Sequence, residues 1–108
     1  MKTNIKVGDI LAGTTGYSMV IPIFYKVVGI TDKRLKVVEL CSRMVQSTDG
    51  GYNQQGYEMP ITDSPTNYKV VLAKPCERWE GEFKIGSRYD AQYVHLWDGK
   101  PIWADYMD

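Results

Sequence analysis

Two short runs rich in β-branched residues constrain the fold of this chain most. Residues 25–30 (YKVVGI) and 35–40 (LKVVEL) are separated by the polar link 31–34 (TDKR). β-Branched side chains fit a pleated, half-buried surface, and a short polar link between two such runs is typical of a hairpin. We therefore expect an antiparallel hairpin across residues 25–40.

Further short runs extend this pattern along the chain. Residues 6–11 (KVGDIL), with a glycine bend, and residues 67–72 (NYKVVL) are predicted strands. The chain has no sustained apolar repeat of about 3.6 residues, so helix is limited to one short turn around 77–81 or 89–92. Short strands between Gly- and Pro-rich turns predict an all-β, mainly antiparallel domain, either a small SH3-like barrel or a sandwich.

The C-terminal segment contains a sharp local turn signal. Residues 93–97 (YVHLW) and 102–106 (IWADY) flank the pair Asp98-Gly99. A two-residue Asp-Gly turn indicates a hairpin because both central residues must tolerate positive φ. We therefore expect a second hairpin over residues 93–106. One face would carry the expected core residues Val94, Leu96, Pro101 and Trp103. The other would carry the mixed aromatic and polar groups typical of a binding surface: Tyr93, His95, Trp97, Lys100 and Ile102.

The chain length and its polar stretches define the expected domain organisation. A chain of 108 residues fits one domain, residues 1–108, with one core. Residues 47–57 (STDGGYNQQGY) are polar apart from two tyrosines and predict a mobile loop, which is either a contact segment or a disordered insertion. Residues 61–67 (ITDSPTN) predict a turn.

Residues that carry chemistry are scarce. His95 is the only histidine, and Cys41 and Cys76 match neither a CxxC redox pair nor a zinc pattern. Buried reduced thiols are the simplest interpretation, with a single disulfide as the alternative. Residues 49–51 (DGG) lack the Lys-Ser/Thr that follows in a phosphate-binding loop. We therefore expect a binding protein without catalytic residues, metal site or cofactor.

The N-terminus and the charge distribution limit the location and the partners. The N-terminus has no apolar signal region, and no run of about 18 apolar residues is present, which predicts a cytoplasmic protein that does not enter the membrane. Net charge is zero, but residues 1–36 hold six Lys/Arg against two Asp, whereas residues 77–108 hold four against seven acidic residues. A fold that separates these parts would present a basic face to phosphates or an acidic face to a basic groove. Intermixed, solvated charges are the alternative.

Landmarks at both ends resemble a family of small bacteriophage and prophage proteins. Residues 7–10 (VGDI), Gly16-Tyr17, a gap of six residues and then residues 24–27 (FYKV) are similar to its GDI…WGY-x6-FYxV pattern. Residues 89–91 (YDA) and 96–101 (LWDGKP) are similar to its C-terminal SY…A…WDGKP element. The resemblance covers the first forty and the last twenty residues. It implies a phage origin, a bacterial host cytoplasm and a shared fold, and it names no activity.

The chain departs from this family after Gly-Tyr. The relatives carry Trp before Gly-Tyr and a polar run after it, whereas this chain has Thr15 and then residues 18–22 (SMVIP). Pro22 would break a central ladder, and a solvent loop would not favour several large apolar groups. The segment therefore either packs against a partner, which could be a second copy, or folds over its own core.

These observations favour a non-enzymatic role in counter-defence. Small phage proteins without catalytic groups often inhibit host defence nucleases. We therefore expect an inhibitor of the anti-CRISPR type that binds a host nuclease, with the acidic C-terminal third mimicking phosphate. The expected partner-binding residues are Tyr17, Met19, Ile21, Tyr93, His95 and Trp97.

Two alternatives belong to other functional classes. The first is a nucleic-acid-binding barrel with Tyr17 and Tyr25 as stacking platforms, and its affinity would fall steeply with salt. Its expected phosphate contacts are Lys26, Lys33, Arg34 and Lys36. The second is a sponge protein that sequesters a small nucleotide between Tyr, Trp and His95, and a nucleotide would then raise its melting temperature.

Overall fold

The part of the chain that the structure describes folds into eight antiparallel strands. The computed structural model describes residues 5–15, 19–48, 50, 55–66, 69–76, 81–86 and 91–106. No helix occurs among these residues, so the predicted all-β class is confirmed. The strands are β1 (Ile10–Thr15), β2 (Ile21–Ile30), β3 (Leu35–Ser47), β4 (Gln55–Pro65), β5 (Val71–Pro75), β6 (Glu82–Ile85), β7 (Gln92–Leu96) and β8 (Ile102–Asp105).

Six of these strands close into a barrel. Each of β1, β2, β3, β5, β6 and β7 pairs with two neighbours, and the pairing of β7 with β1 completes the circle. Closure removes the unpaired strand edges that invite aggregation. At this seam a Cβ on Gly13 would lie 2.3 Å from the carbonyl oxygen of Tyr93, so the approach of β7 to β1 requires glycine.

The barrel interior is filled by side chains from alternate positions of its strands. Tyr25 contributes a ring to this core, and its hydroxyl donates to Gln92 Oε1 at 2.6 Å. Burial, together with the charge of Glu39, raises the pKa of Tyr25 to about 12. The prediction that Tyr25 is a stacking platform for bases is therefore wrong, because alternation along β2 turns its ring inward. The core residues are Ile5, Leu11, Ile23, Tyr25, Val27, Leu35, Val37, Ala73, Phe83, Ile85 and Val94.

Two strands lie outside the barrel and extend it. Strand β3 continues past β5 and pairs with β4, which in turn pairs with β8. We call residues 40–47 of β3 together with β4 and β8 the annex. Val20 and Asp105 exchange two backbone hydrogen bonds of 2.8 Å. The annex is therefore tied back to the residue that precedes β2.

A second core lies on the outer face of β1, β2 and β3. Ala12, Phe24 and Leu40 are buried there, and three partly buried side chains pack against them: Ile10, Trp97 and Ile102. The Trp97 ring meets Phe24 edge-on, with ring centroids 6.0 Å apart. Strand β2 thus has a core on each face, which explains why its sequence does not alternate with polar residues.

The apolar stretch before and within β2 is partly interior. Pro22 and Ile23 are buried, whereas Met19, Val20 and Ile21 are half-buried. The ladder between β2 and β3 begins only at Phe24, so Pro22 has its ladder partner on β1 alone. The proline is tolerated because no neighbour on the β3 side needs its missing N–H.

The first predicted hairpin is confirmed and the second is wrong. Strands β2 and β3 pair around residues 31–34, as expected. Strand β7, however, pairs with β6 and β1, and β8 pairs with β4. Gly99 does have a positive φ of 85°, but the turn belongs to a crossover in which Trp97 Nε1 donates to the Lys100 carbonyl at 2.8 Å. Trp97 and Ile102 both pack against the second core, but their strands pair with different neighbours.

The predicted core face of that hairpin is mostly wrong as well. Val94 is buried as expected, whereas Leu96 and Trp103 are exposed by 42% and 38%, and Pro101 is exposed. The prediction assumed that β7 and β8 share one sheet face. They contribute to different parts of the fold, so their side chains do not meet on one surface.

Several strand boundaries differ from the predictions. The expected strand at 6–11 begins at Ile10, because residues 6–9 form a turn in which the Lys6 N–H donates to Asp9 Oδ2 at 2.9 Å. The expected strand at 67–72 is β5, which starts at Val71. Residues 61–65 of the expected turn belong to β4. Pairing with distant strands sets these boundaries, and the local amino-acid composition does not predict that pairing.

The predicted loop at 47–57 is shorter at both ends. Ser47 lies in β3, residues 55–57 lie in β4, and the Thr48 N–H donates to the Gln55 carbonyl at 2.9 Å. Residues 49 and 51–54 lie outside the described residues, as do residues 77–80 and 87–90, where most of the predicted helical turns fall. Cys41 and Cys76 are free and half-buried.

Candidate functional site

The residues predicted to contact a partner are not brought together. Met19 and Ile21 are half-buried near the start of β2, and Tyr17 lies outside the described residues. Tyr93 and His95 are exposed on the outer face of β7. Trp97 is half-buried and packs against the second core, which includes Ala12, the strand partner of His95.

The described carboxylates of the acidic C-terminal third lie on three separate elements. Glu82 in β6 is 3.4 Å from His95 Nδ1, measured from its Oε1. Asp98 accepts the Lys100 N–H at 2.9 Å, and Asp105 in β8 accepts a hydrogen bond of 3.4 Å from Gln55 Nε2. Each carboxylate contacts a neighbouring group of the protein, and the three do not form one acidic row that could mimic a phosphate backbone.

An apolar, aromatic surface covers the outer side of the annex. Residues alternate along β4: Gly56, Glu58 and Pro60 are buried, whereas the side chains between them point away from the barrel. Trp103 lies directly opposite Tyr57, and Arg43 lies opposite Met59. We call this surface the annex face. It consists of Arg43, Val45, Tyr57, Met59, Ile61 and Trp103.

Two aromatic rings form the centre of the annex face. Tyr57 and Trp103 are exposed by 36% and 38%, and their ring centroids lie 5.5 Å apart with an interplanar angle of 67°. This edge-to-face contact holds both rings in place while leaving part of each in solvent. The two rings therefore offer a fixed apolar anchor for a partner.

The composition of the annex face matches that of a protein interface. Tyrosine, tryptophan, methionine and arginine are enriched where proteins meet, and Trp, Tyr and Arg account for most binding hot spots. Val45 and Ile61, exposed by 40% and 37%, enlarge the apolar area. An exposed group of apolar side chains of this kind is typical of an interaction site.

A buried carboxylate stiffens the annex from behind. Glu58 is 4% exposed, and its two oxygens accept hydrogen bonds from Ser42 Oγ at 2.5 Å and from the Tyr106 hydroxyl. Burial, the hydrogen bond to Glu58 and its negative charge all raise the pKa of Tyr106 above the usual range. These bonds connect β3, β4 and the residue that follows β8. The strands that carry the annex face are thereby fixed relative to one another.

A glycine permits the close approach of β3 and β4. A Cβ on Gly56 would lie 2.2 Å from the carbonyl oxygen of Gln46 and 2.9 Å from Met44 Sδ. The predicted loop assignment missed this role, and it included Tyr57 only as part of a mobile contact segment rather than a strand. The alternation of apolar residues at Tyr57, Met59 and Ile61 is a strand signal that could have identified the face.

The predicted phosphate contacts are also divided between two places. Lys26 is half-buried and lines a cavity with Thr62 and Asp63, whereas Arg34 lines a different cavity. Lys33 is exposed in the β2–β3 turn and Lys36 is exposed on β3. The four side chains therefore do not form the single basic groove that was expected.

Within the described ranges, no three His, Cys, Asp or Glu side chains are grouped so as to hold a metal ion. The same residues contain no helix long and apolar enough to cross a membrane. Comparisons with models of protein families, with characterised proteins and with solved structures found no match to this chain.

Proposed function

We propose that this protein acts without catalysis, by binding another protein through the annex face. The observation that carries the proposal is the exposed pair Tyr57 and Trp103, set among Arg43, Met59 and Ile61 on strands fixed by Glu58. A preorganised surface loses little conformational entropy on binding, so it suits a tight stoichiometric complex. The binding surface is thus assigned to different residues from those the sequence indicated.

We further propose that the partner is a host defence nuclease. The chain resembles small phage proteins at both ends, and a phage protein that binds without catalysis would act in the bacterial cytoplasm on a host target. A partner of the anti-CRISPR type, a CRISPR effector nuclease, fits this origin. Arg43 would pair with a carboxylate on the partner, while the aromatic rings would enter an apolar pocket.

A phage-plating assay tests this proposal. The protein is expressed in bacteria whose CRISPR system targets a phage, and the efficiency of plating is measured. We expect the wild-type protein to restore plating and the double variant Arg43→Glu/Trp103→Ala to lose that protection. Val70→Ser is the matched control, because Val70 is an exposed apolar residue outside the annex face. Melting temperatures of all three proteins show whether each variant is folded.

Two results would contradict the proposal in different ways. Full protection by a folded Arg43→Glu/Trp103→Ala variant would show that the annex face is not the contact surface. No protection by the wild-type protein against any nuclease type tested would refute the nuclease assignment. Sedimentation of the protein alone covers a further outcome: a dimer that this double variant dissociates would identify a second copy as the occupant of the face.

A further inference from the structure

A basic cavity lies on the barrel, on elements other than the annex. It has a volume of about 310 Å³ and is bounded by the β2–β3 turn, β5 and β6. Its described lining consists of Arg34, Leu72, Lys74, Lys84 and Gly86, so three of five residues are cationic and none is acidic. Such a concentration of one charge sign in a concave site attracts anions.

The cations of this cavity are not neutralised within the described part of the chain. Lys74 and Lys84 are direct cross-strand partners, an arrangement in which like charges destabilise the sheet. Neither lysine, nor Arg34, forms an ion pair with a described carboxylate, and the nearby Glu82 pairs with His95 instead. A bound anion would therefore relieve a repulsion that the fold leaves in place.

The position of Arg34 is fixed by its turn. The Thr31 N–H donates to the Arg34 carbonyl at 2.9 Å, and the Thr31 hydroxyl both donates to that carbonyl and accepts the Arg34 N–H, each at 3.0 Å. These bonds fix the backbone of the turn, so the Arg34 side chain extends from an ordered position. Guanidinium groups recognise phosphate with paired N–H donors, which a lysine cannot supply.

An aromatic ring lies beside the cations. Tyr93 is the direct partner of Lys84 on β7, and its side chain is 43% exposed. Neighbouring strands are about 4.8 Å apart, so the ring is one strand from Lys84 and two from Lys74. A group whose phosphate enters the cavity can therefore place an attached base against the Tyr93 ring.

We propose that this cavity binds a backbone phosphate of single-stranded nucleic acid while Tyr93 stacks on an adjacent base. Only an unpaired base exposes its face to such a ring. A duplex could contact the cations through its phosphates, but its bases could not stack on Tyr93. Lys36, exposed on β3 opposite Leu72, lies next to the cavity and would contact a further phosphate of the strand. This cavity lies outside the annex face, so strand binding does not require the proposed protein partner.

Fluorescence anisotropy with a labelled oligothymidylate of about 12 nucleotides tests the proposal. Each neutralised phosphate adds about −0.7 to the slope of log affinity against log salt for single strands, so one phosphate in the cavity and one at Lys36 predict a slope of about −1.4. We expect Lys74→Ala/Lys84→Ala to weaken binding about tenfold or more and to bring the slope near −0.7. Lys100→Ala, which removes an exposed charge elsewhere, is the matched control.

Tyr93 supplies a second, independent readout. Tyr93→Ala should weaken binding about fivefold or more without changing the salt slope, and Tyr93→Phe should restore it, because stacking needs the ring and not the hydroxyl. Tighter binding of the matching duplex, or competition by adenosine triphosphate at the same concentration as the strand, would overturn the single-strand assignment. Equal losses in Lys100→Ala and Lys74→Ala/Lys84→Ala would overturn the site itself. Unchanged strand binding by Arg43→Glu/Trp103→Ala is expected, which separates this test from that of the protein partner.

Discussion

Replacing Gly13 with alanine should open the seam of the barrel. The added Cβ would lie 2.3 Å from the Tyr93 carbonyl oxygen and 3.2 Å from Val94 Cγ1. The carbonyl belongs to the β7 backbone and cannot rotate away, so one strand must shift. The seam has only two register pairs, Leu11 with Leu96 and Ala12 with His95, and a shift disturbs both.

The expected cost follows from these contacts. Forcing extra atoms into a packed site costs about 1–3 kcal/mol, and the weakened seam places Gly13→Ala near the upper end of that range. For a domain of this size, about 3 kcal/mol corresponds to a fall in melting temperature of roughly 10–20 °C. Urea denaturation followed by tryptophan fluorescence measures the free energy of unfolding directly.

Gly29→Ala is the matched control for this experiment. It also adds a methyl group to a strand glycine, but the nearest atom is Lys36 Cδ at 3.2 Å, part of a flexible side chain. Its free energy of unfolding should stay within about 0.5 kcal/mol of the wild-type value, since alanine also restricts the unfolded chain. Equal stabilities of the two variants would show that β1 and β7 do not meet at Gly13, and the closed barrel would be refuted.

Further changes test three other parts of the fold. Tyr106→Phe and Ser42→Ala should each lower the free energy of unfolding by about 1–3 kcal/mol, because each removes a donor from buried Glu58; a double-mutant cycle with strictly additive effects would contradict that shared role. The pKa of Tyr25 is about 12 in the folded protein against 10.0 normally, so the unfolded chain loses this proton first and stability should fall as pH rises from 10 to 12. Tyr25→Phe should cost about 1 kcal/mol at pH 7 and make that fall smaller, as pH-dependent urea melts would show. Gly99→Val should cost about 1 kcal/mol in a thermal melt because valine resists the φ of 85° at this position, and an unchanged melting temperature would argue against that backbone conformation.

Local patterns predicted the parts of the fold that local interactions determine. The β2–β3 hairpin was predictable because its strands are adjacent in sequence and its turn residues hydrogen-bond to one another, as Thr31 does with Arg34. The all-β class followed from the absence of a helical repeat. The positive φ of Gly99 was also predictable, since it is a property of the turn alone.

Long-range pairing determined what the sequence could not reveal. The Asp98-Gly99 signal was correct about the backbone and wrong about the strands, because β7 and β8 pair with distant strands and not with each other. Both the annex face and the basic cavity also depend on pairing between distant strands, so the sequence did not predict them. Trp103 joins the annex face because β8 pairs with β4. Lys74 lies opposite Lys84 because β5 pairs with β6, and the sequence spacing of these two lysines does not indicate that they are neighbours.

Site-specific photo-crosslinking in the bacterial host tests whether the annex face is the surface that contacts the partner. Benzoylphenylalanine is incorporated at position 103, in the annex face, or at position 70, outside it, and crosslinked proteins are identified by mass spectrometry. We expect a subunit of a defence nuclease to be captured from position 103 and not from position 70, while both proteins still protect the phage. Capture of the nuclease from position 70 alone, by protective protein, would contradict the assignment of the annex face as the binding surface.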